Sequence, residues 1–445
     1  MPKTAPSTFF ERRRQPPMLI VLAAFTVLML IGMPIAFAIG ISGALFFLQH
    51  PELPLTIPIQ LTVTETQNFA LLAVPLFILA GNFLNGSGIT HNLLKLATLL
   101  TGRMQGGLAQ TSIALSTLMS GVTGSSIADA AMNARILGLQ MLKRGFSKGY
   151  AAGVLSYGSL MAPIIPPGIG FILYGTVGQV SIGRLFAAGI LPGLMLWASL
   201  AIAISITARR RGYAPERDKA PTVKELALAS WGGIWAILFP VILLLGLRFG
   251  IFTPSEIGAF AVVYAVVIGV FAYRMLTLAS FREAVEGSLV DIGAVMFLLA
   301  LSAIFGYGIV FERIPEVIST WMLGVTDNAD IVMVMIVLFI LVAGTFMEGS
   351  VLIIMLTPIF LPLITEYGVE PVHFGLVFII AATIGNYTPP VGAAMFVVCQ
   401  ILRCPIGDYT RESVPFLIAV SLVTLLLIFV PEVVLVVPNL IFGKY

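Results

Sequence analysis

The sequence is poor in charged residues. Only 10% of its 445 residues are Asp, Glu, Lys or Arg, against about 25% in ordinary soluble domains. Hydrophobic residues make up 58% of the chain. They occur in long runs without the alternation of barrel strands, which leaves helices as the way to cross a bilayer. The composition therefore predicts an all-α polytopic membrane protein.

Cysteine and histidine are also scarce. The two cysteines, Cys399 and Cys404, lack the spacing and the histidine neighbours of a metal site. The three histidines lie outside the four glycine- and proline-containing motifs quoted below, which argues against a histidine relay within the membrane. An intramembrane hydrolase with Ser125 or Ser126 as nucleophile would therefore lack an evident base, and it is kept only as a lesser alternative.

Two stretches interrupt the apolar runs with glycine, proline, hydroxyl and ionisable residues. Residues 121–170 contain GVTGSSIAD and APIIPPG, and residues 344–392 contain GTFMEGS and GNYTPPVG. Irregular backbone at membrane depth persists only where protein buries it or where it lines a polar cavity. The two stretches therefore predict a binding site.

The two stretches share one order of features. In each, a Gly-Ser tip opens an apolar helix, a glycine follows that helix, and a proline pair breaks the next one. The interval from Gly145 to Pro166 equals that from Gly368 to Pro389, 21 residues. An odd number of crossings per half would make the halves inverted repeats with discontinuous helices, an architecture typical of secondary transporters. Two helices within residues 18–49 give five crossings and one re-entrant hairpin per half.

The positive-inside rule tests this topology. A cytoplasmic linker, RRRGYAPERDKAP at 209–221, puts 15 of the 24 Lys and Arg inside, 8 outside and Arg135 within a hairpin. Residues 12–14, all arginine, then lie outside, whereas a single helix over residues 18–49 would bring them inside and remove the repeat. The basic start is interpreted as a tail, because no cleavage motif follows it. We retain the repeat.

The proline pairs and tips predict cation sites. A proline lacks an N–H and obstructs the preceding turn, so carbonyls near residues 162–165 and 385–388 lose helical partners. Hydroxyl oxygens could complete a hard-cation shell, namely those of Thr123, Ser125, Thr345, Ser350 and Thr388. Such a shell favours Na⁺ over a transition metal. The alternative is that these hydroxyls bond to their own helices and that glycine and proline only form turns.

Three ionisable residues lie in or near the tips: Asp129, Arg135 and Glu348. A charge at mid-bilayer costs roughly 2.5–3.5 kcal/mol, so such residues should face a cavity or a partner. Asp129 could favour a nearby cation, and Arg135 could meet a substrate carboxylate. A purely structural Asp129–Arg135 ion pair is the alternative. Glu286 and Asp291 are predicted near a helix start, at the interface.

Several separate motifs resemble the large membrane subunit of tripartite ATP-independent periplasmic (TRAP) transporters. They are TGSSIADAA at 123–131, APIIPPGIGFILYG at 162–175, SIGRLFAAGILPGLM at 181–195 and PLITEYGVEPVHFGLVFIIAATIGNYTPPVG at 362–392. The likeness covers about residues 32–431. It implies sodium-driven uptake of an organic acid, usually a carboxylate, across the bacterial inner membrane by an elevator mechanism. It further implies a periplasmic binding protein and a small four-helix membrane subunit as partners.

The resemblance also implies the ligands. A first sodium site corresponds to Thr123, Ser125, Ala162, Ile165 and Pro167, and a second lies near Gly344, Thr345, Gly349, Thr388 and Pro390. The substrate is expected between the tips, with Ser126, Asp129, Arg135, Glu348 and Ser350 as candidates. The sequence departs from the family at Thr123 and Gly168, where serine is frequent, and either change could alter ligand fit. Besides Na⁺, we expect no organic cofactor, and besides lipid and protein partners, no nucleic acid.

The resemblance gives the domain organisation. The predicted segments are an N-terminal tail (1–17), scaffold helices (18–103), the first hairpin and broken helix of the transport domain (104–181), a helix with the cytoplasmic linker (182–230), scaffold helices of the second repeat (231–328), the second hairpin and broken helix (329–405) and a C-terminal helix (406–445). Because the first span begins at Met18, we expect the small subunit on another chain. A stand-alone elevator carrier of the divalent-anion type is the alternative transporter.

Overall fold

A computed structural model describes residues 17–444, apart from the side chains of Pro17, Ala70 and Leu323. The predicted N-terminal tail, with its three arginines, therefore lies almost wholly outside the described residues. Within them the chain forms helices and turns without a strand. Six helices are long and apolar enough to cross a membrane, or seven if one bent pair counts as a span. The predicted all-α polytopic fold is confirmed.

The first half contains eleven helices up to the polar linker. They are α1 (Pro17–Leu30), α2 (Ile35–Gln49), α3 (Thr56–Thr66), α4 (Ala73–Gly86), α5 (Ile89–Thr101), α6 (Gly107–Thr123), α7 (Ser126–Asn133), α8 (Leu139–Lys143), α9 (Lys148–Gly158), α10 (Ile169–Val177) and α11 (Ile182–Arg211). A π-helical turn, Ala134–Gly138, joins α7 to α8. The axes of α4 and α5 differ by 72°.

The second half contains ten helices. They are α12 (Val223–Arg248), α13 (Pro254–Val267), α14 (Leu278–Phe311), α15 (Ile314–Leu323), α16 (Ala329–Gly344), α17 (Gly349–Glu366), α18 (Pro371–Gly385), α19 (Ala393–Leu402), α20 (Ile406–Phe429) and α21 (Pro431–Phe442). A π-helical turn, Ile268–Ala272, extends α13.

The described residues divide into two compact units, 17–66 with 297–314, and 67–296 with 315–444. In the first unit, residues 18–49 form the two helices α1 and α2, which pack against each other. Gly32, at φ 85°, and Pro34 end the first helix before the second begins. The two-helix interpretation of this stretch is therefore the one that the structure shows.

In the second unit, the two halves contain the same succession of elements. In the first half, α6, a hairpin turn and α7 precede the left-handed Gly145, and residues 162–168 between α9 and α10 form what we call the first break. In the second half, α16, a hairpin turn and α17 precede the left-handed Gly368, and residues 386–392 between α18 and α19 form the second break. The peptide bonds Pro166-Pro167 and Pro389-Pro390 are both cis. The inverted relation of the halves stays a prediction.

Three helix boundaries differ from the predictions. Helix α12 begins at Val223, eight residues before the scaffold segment predicted from residue 231, because Thr222 and Glu225 form a capping box. Helix α14 begins at Leu278, well before Asp291, which was predicted near a helix start. At its first turn the Thr277 and Ser280 hydroxyls each accept the other's backbone N–H. Residues 406–445 form two helices instead of one, because Pro431 disfavours helical backbone at Val430, which is extended at φ −127°.

Candidate functional site

A cavity of about 490 Å³ lies between the two hairpin tips. Tip one comprises residues 123–126, between α6 and α7, and tip two comprises residues 348–350, at the start of α17. Both tips contribute to the wall. The other wall residues near them are Pro163 between α9 and α10, Ile169 and Gly170 of α10, Ile379 and Thr383 of α18, and Asn386 just after α18. The cavity therefore brings together segments that are more than 200 residues apart in the sequence.

Tip one leaves the N-terminus of α7 open. Gly124 ends α6 in the left-handed conformation, at φ 58°, which glycine adopts without a Cβ penalty. Ser125 follows in extended backbone as the N-cap of α7, and its side chain makes no cap hydrogen bond. The first N–H groups of a helix have no intrahelical partner. Tip one therefore presents unfilled donors and the positive end of the α7 dipole to the cavity.

The first break holds unpaired carbonyl groups. Among the described residues, the carbonyls at 162–167 accept no backbone hydrogen bond. The Pro167 oxygen faces tip one, since a Cβ built on Gly124 would come within 3.2 Å of it. A small cavity of about 10 Å³, lined in part by Thr123, Gly124 and Pro167, lies at this contact. That volume suits one small ion or water.

Glycine is required at Gly168 in this backbone. A Cβ at Gly168 would overlap the carbonyl oxygen of Pro163. A Cβ at Gly189 of α11 would likewise overlap the carbonyl oxygen of Ile164. A serine at position 168 would displace the Pro163 carbonyl. This displacement is a structural reason for the predicted effect of residue 168 on ligand fit.

The end of α16, just before tip two, and the second break are bonded to each other. The Gly392 N–H donates to the Thr345 carbonyl at 2.8 Å. The Asn386 carbonyl accepts from the N–H groups of Ala394 and Met395. The hydroxyls of Thr345 and Thr388 donate to carbonyls of their own helices, at 2.8 Å and 2.9 Å. The second predicted sodium site therefore has fewer free oxygens than the first.

The close packing of α16 against α18 holds this arrangement. A Cβ on Gly344 would meet the Gly385 Cα at 3.0 Å, and one on Gly385 would meet the Gly344 backbone more closely still. Only glycine at both positions allows the two backbones to approach so far. This contact brings tip two to the second break.

Asp129 lies behind tip one and is fully buried. Its Oδ2 accepts from the Ser116 hydroxyl at 2.6 Å and from the Asn133 amide at 3.0 Å, and Asn133 also donates to Ser116. Its Oδ1 has no partner among the described residues. Asp129 therefore joins the two arms of the hairpin and is not part of the cavity wall.

The Asp129–Arg135 ion pair does not form. Arg135 lies in the π-helical turn, is exposed, and contributes nothing to the cavity wall. Glu348 does line the cavity, and its carboxylate accepts the Ser350 N–H at 2.8 Å and the Ser350 hydroxyl at 3.2 Å. Glu348 thereby caps the N-terminus of α17 with the protein's own charge.

The structure places the predicted site residues in three groups. Ser126, Glu348 and Ser350 line the large cavity with Thr123, Ser125 and Gly349. Ala162, Ile165, Pro167, Gly344, Thr345, Thr388 and Pro390 lie in or beside the two breaks. Asp129 and Arg135 lie outside the wall. Among the described residues no group of three or more His, Cys, Asp or Glu could hold a metal, so a cation here would need carbonyl and hydroxyl oxygens.

Sequence reasoning missed five polar residues of the wall, including Thr383 of α18 and Asn386 just after it. Asn82 and Asn85 project from α4, and Asp291 from α14. Asp291 lies 13 residues beyond the first residue of α14, so its predicted position near a helix start was wrong. The missed signal is the spacing of Asn82 and Asn85, three residues apart on one face of an otherwise apolar helix.

Comparison with known proteins places the chain in a family. The profile described as "Tripartite ATP-independent periplasmic transporter, DctM component" matches residues 22–433. The chain is 33% identical over 405 residues to the 2,3-diketo-L-gulonate TRAP transporter large permease protein YiaN of Escherichia coli K12, covering 91% of this chain and 95% of that protein. It is 32% identical to the isethionate TRAP transporter permease protein DctMQ of Oleidesulfovibrio alaskensis, covering 94% of this chain and 66% of that protein.

The fold is similar to a solved transporter. The YdaH transporter of Alcanivorax borkumensis, whose crystal structure is described as having an unusual topology, superposes with a TM-score of 0.64 at 14% identity. The match covers 96% of this chain and all of that one. The chain belongs to the DctM component of the tripartite ATP-independent periplasmic transporters and is a multi-pass transporter subunit of the bacterial inner membrane, not an enzyme.

Proposed function

We propose that this chain carries an organic acid across the inner membrane by sodium-coupled symport. It receives the acid from a periplasmic binding protein and works with a small membrane subunit. The family description names a tripartite system, and the relatives are named for the acids 2,3-diketo-L-gulonate and isethionate. The chain matches 66% of the length of the DctMQ relative. We infer that the small membrane subunit corresponds to the part of that relative outside the match.

The observation that carries the proposal is the cavity between the tips. A cavity of about 490 Å³ with hydroxyl and amide groups in a largely apolar wall has the size and lining of a small-molecule site. Discontinuous helices that meet at such a chamber are typical of secondary transporters, where half-helix N-termini bind anionic groups. The open N-terminus of α7 supplies such donors.

Sodium fits the first tip better than the second. The carbonyls of residues 162–167 lack backbone partners, and the hydroxyls of Thr123 and Ser125 lie at the same junction. These hard oxygen donors suit Na⁺. At the second site the carbonyl oxygens of Thr345 and Asn386 already accept backbone hydrogen bonds, so a second ion would require rearrangement there. We propose that Na⁺ at tip one organises the donors that bind the acid.

An elevator motion completes the proposal. The tips and breaks that surround the cavity would move together, and the outer helices would remain as a scaffold. The identical order of elements in the two halves supports such a motion, because inverted repeats allow the same site to open to either side.

The test is uptake into proteoliposomes that contain the chain and its small subunit, with the binding protein added. Labelled 2,3-diketo-L-gulonate, isethionate and gluconate serve as the acids. We expect accumulation that requires an inward sodium gradient and the binding protein. Accumulation in sodium-free buffer that follows a proton gradient would contradict sodium coupling. Uptake by the chain alone, without either partner, would favour the divalent-anion-type carrier.

A further inference from the structure

The charged groups of the cavity wall have one sign. Glu348 and Asp291 both line it, and among its described residues there is no Lys, Arg or His. Among the described residues Glu348 forms no salt bridge, and its carboxylate accepts the N–H and the hydroxyl of Ser350. A substrate with negative charge at both ends would place one of them near these carboxylates, where like charges repel.

The donors for an acidic group lie at the other tip. The α7 N-terminus has no side-chain cap, whereas the α17 N-terminus is capped by Glu348. One tip therefore offers free N–H groups and the Ser125 and Ser126 hydroxyls, and the other offers a carboxylate. The cavity is polarised along the line that joins the two tips.

The remaining polar groups of the wall need hydrogen-bond donors. The Oδ1 atoms of Asn85 and Asn386 are buried without a partner in the described part of the chain. Asn386 is only 1% exposed, and its amide lies beside Gly349 of tip two. A buried acceptor left unpaired costs free energy, so a ligand that brings hydroxyl or amine donors to this end would recover it.

We propose that the substrate is an acid with a single acidic group at one end and hydroxyl or amine donors at the other. The acidic group binds at the α7 N-terminus, and the donors face Glu348 and Asn386 at tip two. This substrate class rests on the proposed transport function and narrows it by excluding dicarboxylates as preferred substrates.

The test compares acids that differ only at the far end. Gluconate and glucarate share their hydroxyls and differ at C6, which is a hydroxymethyl group in one and a carboxylate in the other. Threonate and tartrate form a second pair. Binding is measured by titration calorimetry on the chain with its small subunit in nanodiscs, in sodium buffer. We expect the monocarboxylate of at least one pair to bind about tenfold more tightly or better, from the charge repulsion.

Substitutions in the cavity wall test which residues cause the preference for monocarboxylates over dicarboxylates. Glu348→Gln and Asp291→Asn should each strengthen dicarboxylate binding and reduce the preference, because each removes one negative charge. Glu286→Gln is the matched control, since Glu286 lies on the same helix as Asp291 but pairs with Arg282 outside the cavity. It should leave the preference unchanged.

The two proposals fail in different ways. A wild-type preference for the dicarboxylates, no binding of either monocarboxylate, or a preference unchanged in both wall variants would overturn the substrate class, whereas sodium-driven uptake of another acid would remain. Absence of sodium-dependent uptake of every acid would overturn the proposed function and the substrate class with it.

Discussion

At the scale of single residues, Asp129 shows how a buried charge can serve the site from outside it. Its carboxylate joins α6 to α7 through Ser116 and Asn133. We expect Ser116→Ala to lower the free energy of unfolding by about 1–3 kcal/mol, the usual cost of a buried polar group that loses a partner. The melting temperature of the purified protein in detergent measures the direction of this change.

A double-mutant cycle separates the pair from its surroundings. If Ser116 and Asp129 act together, the Ser116→Ala, Asp129→Asn double variant should lose less stability than the sum of the single variants. Additive losses would mean that the two side chains stabilise the hairpin independently. The sodium dependence of uptake by Asp129→Asn tests the separate prediction that this carboxylate favours a nearby cation.

Gly168 gives a second test at the residue scale. A Cβ there would overlap the Pro163 carbonyl oxygen, so we expect Gly168→Ala to lower the melting temperature and to reduce sodium-driven uptake. Gly407→Ala is the control, because a Cβ at Gly407 has nothing within 4 Å. Equal effects of the two substitutions would show that the first break has room for a side chain.

At this scale, polar residues that cluster in the sequence could be assigned to the site, whereas isolated polar residues could not. Hydroxyls and charges clustered with glycine and proline identified Ser126, Glu348 and Ser350, which lie at the cavity. Asp291 stands alone in an apolar helix, so only its packing shows which way it faces. Arg135 was selected for its charge, but the helical turn that carries it faces away from the cavity wall.

At the scale of elements, the two breaks differ in how their oxygens are used. The Thr388 hydroxyl bonds to the Ile384 carbonyl, whereas the Ser125 side chain makes no cap bond. We expect Ser125→Ala to raise the half-saturating sodium concentration for uptake roughly five- to tenfold, the equivalent of one hydrogen-bond-sized interaction. Thr388→Val should raise it by less than about twofold, because the Thr345 and Asn386 carbonyls of that site already accept hydrogen bonds and favour ion binding there less.

The outcome distinguishes the two predicted sodium sites. A larger effect of Thr388→Val than of Ser125→Ala would contradict the preference for tip one. Melting temperatures of both variants serve as the control, since a variant that unfolds would lose uptake at every sodium concentration.

Sequence patterns located the breaks better than they located helix ends. Proline pairs and Gly-Ser tips disrupt helical hydrogen bonding wherever they occur, so they are visible locally. The starts of α12 and α14 depend on side-chain caps at Thr222 and Thr277, which lie in polar sequence that hydropathy assigns to a linker. The approach of α16 to α18 at Gly344 and Gly385 depends on long-range packing and leaves no local signal.

At the scale of the whole molecule, composition alone was sufficient to predict an all-helical membrane protein, because a chain this apolar must satisfy its backbone internally. The chamber between the tips required the fold, since the two tips are brought together by contacts between segments far apart in sequence. The inverted relation of the halves remains a prediction about which side of the membrane each loop occupies.

Cysteine labelling tests that prediction. The topology puts Arg103, just before the first hairpin, in the cytoplasm and Asp327, at the corresponding position before the second hairpin, in the periplasm. In a variant whose native Cys399 and Cys404 are replaced by alanine, we expect Asp327→Cys to react with an impermeant maleimide in intact spheroplasts. Arg103→Cys should react only after the membrane is permeabilised. Labelling of both sites from the same side would contradict inverted repeats.

The central claim is that the acid and sodium cross together at a chamber formed by both tips. The most direct measurement is radioactive sodium influx into proteoliposomes of the complete transporter, with and without a transported acid and its binding protein. We expect the acid to accelerate sodium influx and Ser125→Ala to weaken that acceleration. Sodium influx that is indifferent to the acid, while the acid itself still accumulates, would contradict the account.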